Sequence, residues 1–262
     1  MPHSILRRGL DRAEGYAIIR RMTEWIRRQK QTGGRVRLFC FPQAGGGASN
    51  FVRWQRDAPS DLEICAVQLP GREDRIREAP PASVQALLPA LADELSKYFD
   101  KPYALYGHSF GARLAFELAC YLRAALLPAP VHLFVSGSAP PDAPRPERLG
   151  ELSDNDFLEK VVQLYQGIPS AVLAEPELLR VVLPALRADF RILEAIEYRS
   201  ELPLDMPISA FGGRSDPSVS ERDLRGWLSH TSRRFRLEMF EGDHFLLRTS
   251  AQAVLETITR DL

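Results

Sequence analysis

The chain has 262 residues, 45% of them apolar, with 34 basic and 34 acidic side chains and no formal net charge. Balanced charge provides no global field for nucleic acid or an anionic surface, and no run of about 18 apolar residues supplies a membrane-spanning helix. The length suits one large α/β domain, and Cys40, Cys65 and Cys120, each in an apolar stretch and without metal-ligand spacing, read as reduced core residues of a cytoplasmic protein.

Residues 1–34 are a basic N-terminal extension, with Arg7, Arg8, Arg12, Arg20, Arg21, Arg27, Arg28 and Lys30 against Asp11, Glu14 and Glu24. Tyr16, Ile18, Ile19, Met22, Trp25 and Ile26 give it a partial amphipathic pattern, read as a short docked helix or an unstructured arm. It lacks the apolar core of a secretory signal. Short apolar segments of strand length follow at residues 35–41, 62–69, 102–106, 131–136, 207–211 and 235–240. Helical patterns at 83–99, 112–125, 220–228 and 250–262 separate most of them. This alternation predicts an α/β fold, a mainly parallel central sheet with helices on both faces and ligands at the carboxyl ends of the strands. Pro89 and Pro184 fall inside helical patterns and predict a kink or break at each. Between residues 145 and 204 the strand rhythm stops. Ser153-Asp-Asn-Asp156 has the form of a capping box opening a helix to Gln166, and Pro176 opens a second apolar-periodic run to Tyr198. The core is therefore assigned to residues 35–144 and 205–262, and 145–204 to a helical insertion lying over the site as a lid.

Gly107-His108-Ser109-Phe110-Gly111 fits G-x-S-x-G between a strand and a helix, the local form of a nucleophile held on a strained turn. A serine hydroxyl needs a base to take its proton. Of five histidines, His3 is in the extension, His108 is tied to the turn, His132 is within a strand and His230 precedes the last strand. His244, in a Gly-containing loop after that strand, is the candidate base. The orienting acid is Asp216 in Gly212-Gly-Arg-Ser-Asp-Pro217, or Asp142 after the preceding strand, with Asp243 more remote. An oxyanion needs two preplaced donors. One is the amide of Phe110; the other comes from Phe41-Pro-Gln-Ala-Gly-Gly-Gly47, at Gln43 or Ala44. That loop lacks the Lys-Ser/Thr ending of a phosphate-binding Walker motif.

Phe41-Pro-Gln-Ala-Gly-Gly46, Leu69-Pro-Gly-Arg-Glu-Asp-Arg75, Gly107-His-Ser-Phe-Gly-Ala112, Leu183-Pro-Ala-Leu-Arg-Ala-Asp189, Gly212-Gly-Arg-Ser-Asp-Pro217 and Gly242-Asp-His-Phe245 together resemble the type II thioesterases of polyketide and nonribosomal peptide synthesis. The resemblance runs from about Trp25 to the C-terminus. It implies an α/β-hydrolase fold with a helical lid, a Ser109-Asp216-His244 triad, no metal or other cofactor, and hydrolysis of acyl groups stalled on the phosphopantetheine arm of acyl- or peptidyl-carrier proteins. Arg72, Arg75 and Arg77 after the second core strand, and Arg187 and Arg191 in the insertion, are the candidate basic rim for an acidic carrier. Leu164, Leu186 and Leu193 are candidate apolar walls of the acyl channel. A stand-alone carboxylesterase or medium-chain fatty acyl thioesterase would use the same triad, and a noncatalytic hydrolase-fold binding protein is the reading of a different class. Turnover of matched thioesters and esters, and labelling by a fluorophosphonate, separate the three.

Overall fold

The computed structural model describes residues 24–28, 33–144, 148–165, 175–198 and 202–262. Most of the basic extension, with His3, lies outside the described residues.

Among the described residues seven strands form one sheet: β1 (Ile26–Arg27), β2 (Val36–Phe41), β3 (Leu62–Val67), β4 (Tyr103–His108), β5 (Leu133–Ser136), β6 (Ile208–Gly213) and β7 (Phe235–Phe240), in the spatial order β1-β3-β2-β4-β5-β6-β7. Every pairing is parallel except that of β1, which runs antiparallel to β3 with Ile26 opposite Val67. The end of the extension is thus an edge strand, not part of a helix. Trp25 lies under the Arg75 guanidinium, 4.6 Å from ring centroid to Cζ, and Ile26 is buried. A two-residue strand shows no alternation of its own; the unpaired edge of β3 determines where it pairs.

Among the described residues the α-helices are α1 (Val52–Asp57), α2 (Val84–Ser96), α3 (Phe110–Ala124), α4 (Asp154–Tyr165), α5 (Pro176–Ala195), α6 (Glu221–Arg225) and α7 (Ala251–Asp261). Period-two alternation in the strands divides the core into two layers. Phe39, Phe41, Leu105 and Val135 face α2 and α3, which contribute Leu87, Leu91 and Leu95 and Leu114, Leu118 and Leu122 at four-residue spacing. Leu38, Cys40, Ala104 and Tyr106 face the other way, onto Trp54 of α1 and Val254, Leu255 and Ile258 of α7. Helices on both faces leave only the strand ends for chemistry.

The helices α4 and α5 are inserted between β5 and β6 and have a small core of their own: Leu149, Phe157, Val161, Leu186 and Phe190. Ser153 opens α4 as its sequence suggests, accepting from the Asp156 amide at 3.3 Å and donating to the Asp156 carboxylate at 2.7 Å. Neither internal proline breaks its helix. The α2 helix runs through Pro89 and α5 through Pro184, because buried neighbours, Leu87 and Leu91 around the first and Ala185 and Leu186 after the second, offset the lost backbone bond. Among the described residues no helix is long and apolar enough to cross a membrane.

Candidate active site

The loops after β2, β4, β6 and β7 all leave the carboxyl ends of parallel strands, and they carry Gln43, Ser109, Asp216 and His244. Ser109 is the single residue between β4 and α3, with φ +53° and ψ −117°. A non-glycine residue held there stores roughly 1–3 kcal/mol of strain. Its amide is tied to the Ser136 carbonyl at 2.7 Å. The flanking glycines are steric requirements: a Cβ on Gly107 would lie 2.1 Å from the Gly111 carbonyl oxygen, and one on Gly111 would lie 2.2 Å from the Phe41 carbonyl oxygen. Gly111 therefore lets the start of α3 press against the Phe41–Pro42 backbone, bringing the first amide of α3, that of Phe110, beside the loop after β2.

His244 Nδ1 lies 2.8 Å from Asp216 Oδ2, and both side chains are buried. The other oxygen of Asp216 is occupied by its own turn: Ser218 N donates to Oδ1 at 2.8 Å, Ser218 Oγ at 2.6 Å and Val219 N at 3.3 Å. Ser218 Oγ is also 3.0 Å from His244 Nδ1. Burial by itself would raise the Asp216 carboxyl, but hydrogen bonding and charge from His244, with the hydroxyl and amide of Ser218, outweigh it and hold the group below the usual carboxylate range. Asp216 is thus an anion with one lone-pair face left for an imidazole. Sequence reasoning did not single out Ser218, although Asp-Pro-Ser-Val has the form of an Asx turn.

Two histidines meet at the elbow, with ring centroids 5.2 Å apart, and they are not equivalent. His108 is fully buried; burial first, and then the nearby His244, push it down to about 3. Its Nδ1 is 3.1 Å from Ser136 Oγ, so it remains a neutral part of the turn. His244 has the Asp216 carboxylate at Nδ1, which fixes the orientation of its ring. The alternative acid, Asp142, is elsewhere: its carboxylate lies 2.9 Å from Nε2 of His230.

In the loop after β2 three amides are committed. Gly45 N donates to Asp189 at 2.8 Å, Gly46 N to the Gln43 carbonyl at 2.9 Å, and Ala48 N to Gln68 at 2.7 Å. The amides of Gln43 and Ala44 have no acceptor among the described residues. They stand beside the start of α3, whose first N–H groups are free of intrahelical bonds. Such paired donors suit a developing oxyanion.

The thioesterase domain family matches residues 36–262. The chain belongs to this family. It is 37% identical over 246 residues to the gramicidin S biosynthesis protein GrsT of Aneurinibacillus migulanus, covering 93% of this chain and 96% of that one. Among solved structures it is similar to the RedJ thioesterase of the prodiginine pathway in Streptomyces coelicolor, with a TM-score of 0.81 and 36% identity over 87% of this chain and 86% of that one. It is similar also to the type II thioesterase BorB of the borrelidin cluster, with a TM-score of 0.78 and 33% identity over 90% and 95% of the two chains. The protein is a thioester-hydrolysing enzyme with the α/β-hydrolase fold of these relatives.

The thioesterase does not present its candidate docking arginines as the sequence suggests. Arg72 is buried in a two-bond pair with Asp189, at 2.6 and 2.9 Å. Arg75 is buried between Glu78, the Gln68 carbonyl and Trp25. Arg187 pairs with Asp154 at 2.7 Å, stacks over Phe157 and donates to the carbonyls of Gly150 and Leu152. These three hold loops and helices together instead of forming a rim, since their carboxylate and carbonyl partners take up the donors a carrier would need. Arg77 and Arg191 remain exposed. Leu193 packs on the main core, and Leu186 lies in the insertion's own core against the loop after β2. Among the described residues of the insertion, Tyr165 at the end of α4 reaches the site, its ring 5.1 Å from that of His244. A cleft of about 580 Å³ lined by Gln85, Phe116, Cys120, Tyr198 and His230 includes none of Ser109, Asp216 and His244, and so is separate from the site.

Proposed function

We propose that this thioesterase is a type II, editing enzyme that releases acyl groups from the phosphopantetheine arm of acyl- or peptidyl-carrier proteins presented in trans. Ser109, His244 and Asp216 are its triad, and residues 145–204 are its lid. The observation that carries the reading is the His244–Asp216 pair packed against the ring of His108, the neighbour in the chain of a strained serine at a glycine-flanked elbow. Likeness over nearly the whole chain to a gramicidin S biosynthesis protein and to a type II thioesterase of the borrelidin cluster supports the substrate class.

The chemistry follows from placement. His244 takes the Ser109 proton as Oγ attacks the thioester carbonyl, and Asp216 stabilises the imidazolium through Nδ1. The amides of Phe110 and of Gln43 or Ala44 hold the oxyanion. Collapse breaks the C–S bond, and the imidazolium gives its proton to the departing sulfur, so pantetheine leaves as a thiol and His244 is neutral again; because a thiolate is a good leaving group, that transfer need not precede cleavage. The same imidazole then activates water against the Ser109 ester, releasing the acid and regenerating the serine. Tyr165 and the insertion cover the imidazole and restrict water.

The test compares purified wild-type enzyme on acyl-carrier proteins, acyl-pantetheine thioesters and matched oxygen esters. Carrier-bound thioesters are expected to give the highest kcat/KM. Equal or faster turnover of the oxygen esters would replace this reading with a carboxylesterase.

A further inference from the structure

Asp189 lies on α5, in the insertion, yet its carboxylate is spent on the core. It has no exposed surface, and it joins three chain segments. Oδ1 accepts from Arg72 Nη2 at 2.9 Å; Oδ2 accepts from Arg72 Nη1 at 2.6 Å and from the Gly45 amide at 2.8 Å. Arg72 Nη1 donates in addition to the Gly46 carbonyl at 3.2 Å. Two adjacent residues of the loop after β2, Gly45 through its N–H and Gly46 through its carbonyl, are thus gripped by opposite ends of one ion pair. Leu186, one turn before Asp189, closes on the same loop: a Cβ on Gly45, whose φ is +69°, would meet Leu186 Cδ1 at 3.1 Å.

Burying both charges is costly, and apolar side chains of similar size would attach helix to loop at least as well. What the ions add is direction. A carboxylate accepting from the Gly45 N–H fixes the Ala44–Gly45 peptide plane, because turning that plane would aim the Ala44 carbonyl at the anion. With Gly45 and Gly46 committed, the amides of Gln43 and Ala44, next to the Phe41–Pro42 backbone that Gly111 presses on, remain for an oxyanion.

We infer that Asp189, braced by Arg72, is a positioning residue for the oxyanion loop, so that the second oxyanion donor is in place only while α5 is seated on the core. The inference rests on the serine-hydrolase reading above and adds a dependence of the hole on the insertion.

The test uses full-length Asp189→Asn and the double variant Arg72→Met/Asp189→Leu, each checked by circular dichroism and thermal unfolding. For each, kcat and KM are measured on an acyl-pantetheine thioester. Affinity is measured for an alkylboronic acid, whose tetrahedral adduct on Ser109 places an oxygen in the hole, and for a thioether analogue with no carbonyl oxygen. Asp189→Asn is expected to lower kcat roughly 10- to 100-fold, up to the loss for one oxyanion donor, with KM and thioether affinity within about twofold and boronate affinity falling in parallel with kcat. The double variant is expected to unfold at or above the wild-type temperature and yet keep the low kcat; it alone decides the matter if Asp189→Asn does not fold. Wild-type kcat in the folded double variant, or equal losses of thioether and boronate affinity, would overturn the inference and leave the pair a structural clamp. Absence of thioester turnover by the wild type would count against the proposed substrate instead, and the boronate and thioether affinities would still decide the role of Asp189.

Discussion

Asp142 lies 2.9 Å from Nε2 of His230, so the aspartate that most resembles Asp216 in its sequence setting already has an imidazole of its own. His230 packs among Phe116, Trp227 and Tyr198. The two pairs, Asp142–His230 and Asp216–His244, use the same chemistry in different places, and it is the second whose imidazole packs against His108, the residue before Ser109. Asp216→Asn is therefore expected to lower kcat on the order of 10⁴-fold, whereas Asp142→Asn affects thermal stability with kcat within about threefold. Ser109→Ala and His244→Ala should each remove several orders of magnitude. Steady-state kinetics on one thioester with all four folded variants checks this, and the reverse ranking of the two aspartates would move the acid.

Ser218 gives the clearest pH dependence. Its hydroxyl and amide help to hold the Asp216 carboxyl below its ordinary value in the folded protein. A carboxyl depressed on folding adds stability that is fully present above its unfolded value, near ~4, and is lost as pH falls through the depressed folded value. Ser218→Ala weakens the depression. The melting temperature of the variant is expected below that of the wild type at pH 7, with the gap closing as pH drops below about 4. A constant gap from pH 7 to pH 3 would show that Ser218 stabilises by packing alone.

Tyr165 is where the insertion touches the imidazole. Tyr165→Leu is expected to shift acyl-chain-length preference several-fold while the rate of Ser109 labelling by a small fluorophosphonate stays within about twofold, because the change alters the wall and not the nucleophile. An equal change in both would give Tyr165 a part in the chemistry.

Charge reversal separates buried from exposed arginines. Breaking a buried pair leaves its partner uncompensated and costs about 3–5 kcal/mol, so Arg72→Glu is expected to lower the unfolding midpoint strongly and to impair all substrates alike. Arg191→Glu, on an exposed position, should leave the midpoint within about a degree and raise KM for acyl-carrier protein more than for acyl-pantetheine, with the difference fading at high salt. Equal KM changes on the two substrates would exclude Arg191 from carrier docking.

What the chain specifies locally is legible in its residues alone. Period-two strands, four-residue leucine spacing in α2 and α3, the Ser153 capping box and the glycine-flanked Ser109 each express a demand met within a few residues, by backbone sterics or by one side chain capping its own turn. The order of Ser109, Asp216 and His244 is readable for the same reason, since parallel strands put successive loops at one sheet edge. Tertiary structure alone decides the rest. Arg72 reads as a surface arginine because its partner is 117 residues away on another helix, and Asp142 reads as an acid because His230 reaches it across 88 residues. Ile26–Arg27 becomes a strand through the open edge of β3, not through any propensity of its own. Local geometry is encoded where it is used; whether a charge faces water or a buried partner depends on which distant segments the core brings together, and a single sequence carries no local mark of that encounter.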